Sequence, residues 1–392
     1  MDPMVLPPPS LLPRLHVLKY KKLDLDELVV QVYDHDGVGM GVEDGVQGVM
    51  TSSVSVDNGR QVAIDAFARC IFNGNKIASE ALLMACMSLA ERDYRTSSPK
   101  AIQMPSGATL GCGSINFVLS TTNACSALQE RLTSVLSMTS PVVASINLSL
   151  PSLNGTATAT DAGQACSDSI IAPGKNASNR LEPSVLQLPK ASCLIINQAL
   201  MTEGKVNQTG ESALASLSKM VRTHTIPYRF DGLMEIDFEA DHKVFVVSCN
   251  SDKPSTGRGG SRLLPCALTM KLGSDSITEC RAGASPLISD ETFGQICRYL
   301  SKCRSSQKSI ALPNCLLERA QKDFINWRKN GLSRLKRDVE EDDFHRWLLL
   351  TRLQARCRMG NKESNSDDLV ATVQDWESAV HLDCKMQVAS SG

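Results

Sequence analysis

Residues 192–201, SCLIINQALM, form a short apolar strand that ends in two amides, Asn197 and Gln198. In nucleotide-hydrolysing proteins a strand of this kind ends in two carboxylates, one holding the metal ion and the other orienting the attacking water. Amides accept hydrogen bonds, but they bring no charge to a metal and cannot act as a general base. Three readings are open: a working site with unusual chemistry, a site that has lost its chemistry, or an ordinary buried strand. Two further stations bear on the choice. A phosphate loop needs glycines whose backbone N–H groups wrap phosphate, a Lys for the outer phosphates and a Ser/Thr for Mg²⁺. The candidate is FNGNKIASEALL (72–83), which supplies Gly74 but has Ser79 and Glu80 where Lys and Ser/Thr should open the helix. A carboxylate there repels a triphosphate, and Lys76 is on the wrong side of the loop. A helix start packed under a sheet is the better reading. The third station is the end of VFVVSCN (244–250), where Asn250 is a candidate polar sensor, although an Asn leaving a strand is commonly a turn residue.

Other constellations carry less. Asp34-His35-Asp36 cannot all face one ion from an extended segment, and the six histidines show no metal-ligand spacing. The fourteen cysteines include no C-x-x-C pair; even Cys297 and Cys303 are separated by five residues. Cys86, Cys193 and Cys249 sit in apolar runs, where a thiol behaves as a small core residue. Free thiols indicate a reducing compartment, cytosol or nucleus. The sequons at Asn147, Asn154, Asn176 and Asn207 then carry no meaning. The basic run RKNGLSRLKR (328–337) is followed at once by DVEEDD, as in a solvated helix end with balancing charges. No catalytic set, metal site or cofactor is expected.

The elements that must position these residues follow from pattern. With 42% hydrophobic and 21% charged residues, 392 residues suffice for a large α/β core with an attached subdomain. A net charge of −1 and 4% aromatics argue against general nucleic-acid binding. The opening MDPMVLPPPSLLPRL has no secretory pattern, and no apolar run has the length of a membrane span. Residues 1–59 read as a Pro-rich arm, strand-like runs at 14–20 and 27–33, and a Gly-rich loop at 37–48. Helices are expected at 60–72, 77–93, 123–138 and 211–223, and strands at 114–120, 142–150 and 192–198. A hairpin is expected from 226–232 and 234–240, with further strands at 243–249 and 264–272. Residues 151–178 read as a solvated, disordered insertion and 251–261 as a Gly/Ser-rich loop. Helices near 287–304, 313–330, 340–358 and 372–387 complete the chain. Strands alternating with helices, then helices alone, predict an α/β core at 60–273 and a helical lid at 274–392.

The order from Asn179 onward also carries a resemblance. NRLEPSVLQLPKASCLIINQALMTEGKV, the helix 211–223, IPYRFDGLMEIDFEA and KVFVVSCNSDK together resemble the C-terminal half of the MCM-binding protein family. So do LLERAQKDFINWRKN (316–330), DDFHRWLLLTRLQARCRMG (342–360) and VQDWESAVHLDCKM (373–386). NGNKIASEALLMACMSL (73–89) looks like the family's Gly-Asp-x-x-Ala-Ala-Glu helix, with Asn75 for the Asp and Ser79 for the second Ala. The resemblance implies a degenerate AAA+-like (P-loop-type) fold similar to the MCM motor domain: a Walker B strand, a helix, a hairpin before sensor 1, and a helical lid. By that comparison the lid's sensor arginine falls near His345. Many members keep Asp-Glu at the Walker B strand, and this chain replaces both residues. Members also usually have a longer N-terminal region. The implied function is non-enzymatic binding to MCM helicase subunits in the nucleus, in assembly or in release from chromatin during DNA replication, with a further implied link to sister chromatid cohesion. Contact with chromatin would be indirect, with neither a membrane nor sequence-specific nucleic acid as a direct partner. Trp327 and Trp347 are candidate contacts, although their place in the lid's own core is the favoured reading. The alternatives are an AAA+-type ATPase with unusual motifs and a DNA-binding module.

Overall fold

The computed structural model describes residues 59–88, 113–140, 142–155, 184–189, 192–230, 234–240, 242–249, 263–273, 288–305, 310–332, 335, 338–360 and 370–389. It also places two-residue strand pairs within 92–110 and 174–182. The expectations for the arm at 1–58, including Asp34-His35-Asp36, for the loop 251–261 and for Asn250 lie outside the described residues.

Among the described residues two helices come first, α1 (Gly59–Cys70) and α2 (Lys76–Met87). Nine residues of α2, among them Leu82, Leu83 and Met84, are buried, so this helix is apolar nearly all round and lies in the interior. It ends where Ser88 turns extended and its hydroxyl donates to the Ala85 carbonyl at 2.8 Å. Gly113 lies against that end. A Cβ there would stand 2.1 Å from Ser88 Oγ, and its φ of +88° is one that L side chains rarely adopt.

Five strands then form one parallel sheet: β1 (Ser114–Leu119), β2 (Val143–Asn147), β3 (Cys193–Asn197), β6 (Lys243–Cys249) and β7 (Leu268–Lys271). Their order is β7-β1-β6-β3-β2. Helix α3 (Thr122–Thr139) crosses from β1 to β2. Helix α5 (Gln208–Thr223) and the antiparallel hairpin β4 (Thr225–Phe230) and β5 (Met234–Glu239) lie between β3 and β6. The central strands are continuous apolar runs because both faces are covered. Ile115, Phe117, Cys193, Ile195, Phe245 and Val247 point to one side, into a cluster with α1, α2 and α3. Leu194, Ile196, Val244 and Val246 point to the other, against α5 and Ile226 of β4. The result is a three-layered α/β molecule.

Four C-terminal helices follow: α6 (Asp290–Ser305), α7 (Asn314–Asn330), α8 (Glu341–Gly360) and α9 (Val373–Ala389). The lid expected at 274–392 shares part of its core with the sheet domain. Here Ile296, Leu300, Leu350, Leu353, Cys357, Leu382 and Met386 join the same cluster as α1, α2 and β1. A second, aromatic cluster, with Trp327, Trp347 and Trp376, belongs to the helices alone. The insertion expected at 151–178 is helical at its start. Leu150–Leu153 make a helical turn, α4, because Ser149 and Ser152 cap one another and Leu153 is buried. Among the described residues no helix is long and apolar enough to cross a membrane.

Candidate functional site

In open parallel sheets, ligands bind beyond the carboxyl ends of the strands where the strand order reverses. The chain leaves β1 towards β2 on one side and leaves β6 towards β7 on the other, so the crevice lies between β1 and β6. β1 ends at Leu119 and α3 begins at Thr122, which leaves Ser120 and Thr121 as the whole connection. It contains no glycine and no lysine. Thr121 Oγ1 instead accepts from the Ala124 N–H at 3.2 Å and caps the helix. Cys125, in the first turn of α3, is buried, and burial pushes its thiol up to about 12, with Cys249 at the end of β6 adding to the rise.

The strand–loop–helix of this fold is therefore LSTTNAC (119–125), and 72–83 is a helix start packed in the interior, the better of the two readings given to it. Residues 73–75 join helix to helix, whereas a phosphate loop follows a strand. Gly74 takes a φ of +93° and Asn73 one of +47° to make the turn, and nothing lies within 4 Å of a Cβ added at Gly74. Asn75 Oδ1 accepts from the Ile77 and Ala78 N–H groups, each at 3.1 Å. Ser79 is buried and donates back to the Asn75 carbonyl at 2.8 Å. Glu80 pairs with Arg60 at 2.5 Å, and Gln354 of α8 bonds to both. Lys76 pairs with Asp65 at 2.8 Å and holds that carboxyl below its usual range. These residues tie α1, α2 and α8 together.

Asn197 and Gln198 do lie at the carboxyl end of the sheet, and their environment explains the amides. Asn197, 2% exposed, donates from Nδ2 to Gln129 Oε1 at 2.6 Å and accepts at Oδ1 from the Ala199 N–H at 2.9 Å. Gln129, on α3, donates in turn to Ser145 Oγ at 2.5 Å and to Asn147 Oδ1 at 2.9 Å, both on β2. The network stitches α3, β2 and β3 across one face and holds the Asn197 amide in a fixed orientation. Gln198 extends the β6 ladder through its N–H to the Val247 carbonyl at 2.8 Å, while its Nε2 is buried with no partner among the described residues. Sequence reasoning missed Gln129, Ser145 and Asn147. Their only signal is that a helix crossing from β1 to β2 must lie over the end of β3.

His345 is half-buried on α8, with its ring edge-on to Phe344. The neighbouring arginine, Arg346, lies in the lid's own network. Its guanidinium donates to both Asp383 oxygens at 2.9 Å and forms a shorter contact with Asp343; burial works to lower its pKa, but the Asp383 and Asp343 carboxylates outweigh it and hold the pKa above its ordinary value. Trp347 is fully buried, with Nε1 donating to Asp383 at 2.8 Å, so it offers no surface to a partner. Trp327 is half-buried and stacked on Trp376 at 6.2 Å.

A family model described as mini-chromosome maintenance replisome factor matches residues 2–387. The chain belongs to that family. The match begins at residue 2, so the Pro-rich arm falls inside the family's pattern. Three relatives, each named mini-chromosome maintenance complex-binding protein, show how far the likeness reaches. The Drosophila melanogaster protein is 24% identical over 240 residues, 60% of this chain and 34% of its own length. The Danio rerio protein is 22% identical over 354 residues, 88% of this chain and 48% of its own. The Homo sapiens protein is 24% identical over 178 residues, 44% and 25% of the two lengths. The chain thus aligns with between a quarter and about half of each of these family members.

Proposed function

We propose that this chain binds the mini-chromosome maintenance helicase without hydrolysing nucleotide, in the nucleus, and acts in assembly of the helicase or its release from chromatin. The observation that carries the reading is the Asn197–Gln129 network, taken with the family match. Where a hydrolase would place a metal-binding carboxylate, this chain has a buried amide held by the neighbouring helix. The two-residue Ser120-Thr121 connection, with no glycine or lysine, supports the same reading. A degenerate AAA+-like fold is part of the proposal. It is supported by the succession of β3, α5, the β4–β5 hairpin, β6 and the closing helices. Such a fold would keep the shape by which motor subunits pack side by side while giving up the chemistry. The test is affinity purification of the tagged full chain from cycling cells, with mass spectrometry of the partners and an ATPase assay of the purified chain. Helicase subunits should co-purify and the chain should show no turnover. Their absence, or turnover abolished by Asn197→Ala, would overturn the reading.

A further inference from the structure

The crevice between β1 and β6 holds two thiols that the sequence keeps far apart. β6 runs parallel to β1 as far as the pair Cys249↔Leu119, so Cys249 ends its strand level with the end of β1. Its thiol donates to the Ser120 carbonyl at 3.5 Å. Ser120 and Thr121 lead directly into α3, where the Cys125 N–H donates to the Thr121 carbonyl at 3.1 Å. Side chains on a helix lean towards its N-terminus, so Cys125 reaches back over the turn that Cys249 touches. The two thiols are in hydrogen-bonding contact there.

The two sulfurs differ in access. Cys125 is fully buried in the main cluster, whereas Cys249 packs against the same cluster and is half-exposed. Burial holds the Cys125 thiol in its protonated form, so it is not the first of the two to react. Cys249 meets solvent, and the thiol beside it is placed to attack whatever forms on its sulfur. Cys193 shows the contrast. It is fully buried and hydrogen-bonds Ser140 Oγ at 3.1 Å, a partner that cannot become a cross-link. In a reducing compartment, disulfides are usually transient, and such a pair is the arrangement that redox sensing needs.

We propose that Cys125 and Cys249 form a redox modification site, in which hydrogen peroxide converts the pair to a disulfide that bridges the end of β6 to the first turn of α3. The Cys249 thiolate attacks one peroxide oxygen: an S–O bond forms, the O–O bond breaks and hydroxide leaves. The Cys125 sulfur then attacks the sulfur of the Cys249 sulfenic acid. The S–S bond forms, the S–O bond breaks, and the departing hydroxide takes the Cys125 proton. In sum the two thiols give up two electrons and two protons, and the peroxide leaves as two waters. A small-molecule thiol reverses the step by exchange and is itself oxidised to a disulfide. The bridge closes the crevice between β1 and β6 at its floor. This inference is independent of the helicase-binding reading.

The test treats the folded, reduced full chain with hydrogen peroxide, blocks remaining thiols with iodoacetamide and maps the peptides without reduction. A peptide linking Cys125 to Cys249, lighter by two hydrogens, should appear and should vanish on treatment with glutathione. Cys193 should stay reduced over the same interval. Cys125→Ala removes the attacking partner, so the Cys249 sulfenic acid should persist and its labelling by dimedone should rise about tenfold over wild type. Cys249→Ser should leave Cys125 unoxidised. The proposal is overturned if Cys249 of the wild type ends as sulfinic acid or a mixed disulfide without the link. It is equally overturned if the link forms only when the chain is first unfolded in urea, or if dimedone labels Cys249 as strongly in wild type as in Cys125→Ala. Should Cys125→Ala fail to fold, the wild-type peptide map alone decides.

Discussion

A carboxylate at position 197 would meet Gln129 Oε1 at the 2.6 Å now spanned by an amide donor. An ionised Asp cannot donate, and rotating the Gln129 amide to meet it would disturb the bonds to Ser145 and Asn147. Asn197→Asp is therefore expected to destabilise the chain by about 1–3 kcal/mol at neutral pH. Burial and the loss of a donor raise the folded-state pKa of the introduced carboxyl above its unfolded value. The variant should then match the wild type below the range of an unfolded carboxyl and lose stability as pH rises through it. Urea unfolding of both chains across that interval measures the effect; a difference that does not depend on pH would show that the network tolerates the charge. Position 197 was legible in the sequence as a strand end lacking its carboxylate. What holds the amide in place was not, because Gln129, Ser145 and Asn147 come from two other elements.

At the scale of elements, the joint between α2 and β1 depends on Gly113 having no side chain. A methyl group 2.1 Å from Ser88 Oγ must displace either the end of α2 or the start of β1. Gly113→Ala should lower stability by about 1–3 kcal/mol, from overlap and a strained φ together. Adding Ser88→Ala should recover part of that loss, which thermal unfolding of the single and double variants will show. The elements themselves were largely readable. Helices expected at 123–138 and 313–330 occur at Thr122–Thr139 and Asn314–Asn330, and the strand at 243–249 is Lys243–Cys249. Continuous apolar runs and helical periodicity are local signals. The crevice was not legible, for the opposite reason. A search for glycine and lysine led to the turn at 73–75, whereas the position of the crevice is set by which strand is central. That depends on β1 pairing with β6 and β7, far along the chain.

For the whole molecule, the shared cluster makes the closing helices part of the main core. Phe293, Ile296, Leu300, Leu350, Leu353, Leu382 and Met386 are buried, and most of them pack in the cluster that holds α1, α2 and β1. At about 1.5–3 kcal/mol for each large apolar side chain, their loss is of the order of the entire stability of a domain. A chain ending at Gly273 is therefore expected not to fold, as circular dichroism and limited proteolysis would report. A well-folded, protease-resistant product would mean that the two parts are independent. The strand order has a further consequence, in time. During synthesis β1 emerges early, yet both of its sheet neighbours, β6 and β7, follow only after residue 242. Until then Ile115, Phe117 and Leu119 have no sheet to join, and pairings this distant in sequence form slowly. A nascent chain stalled before residue 243 is thus an aggregation-prone intermediate. The ribosome exposes that intermediate in every round of translation, and a holding chaperone would have its longest opportunity there.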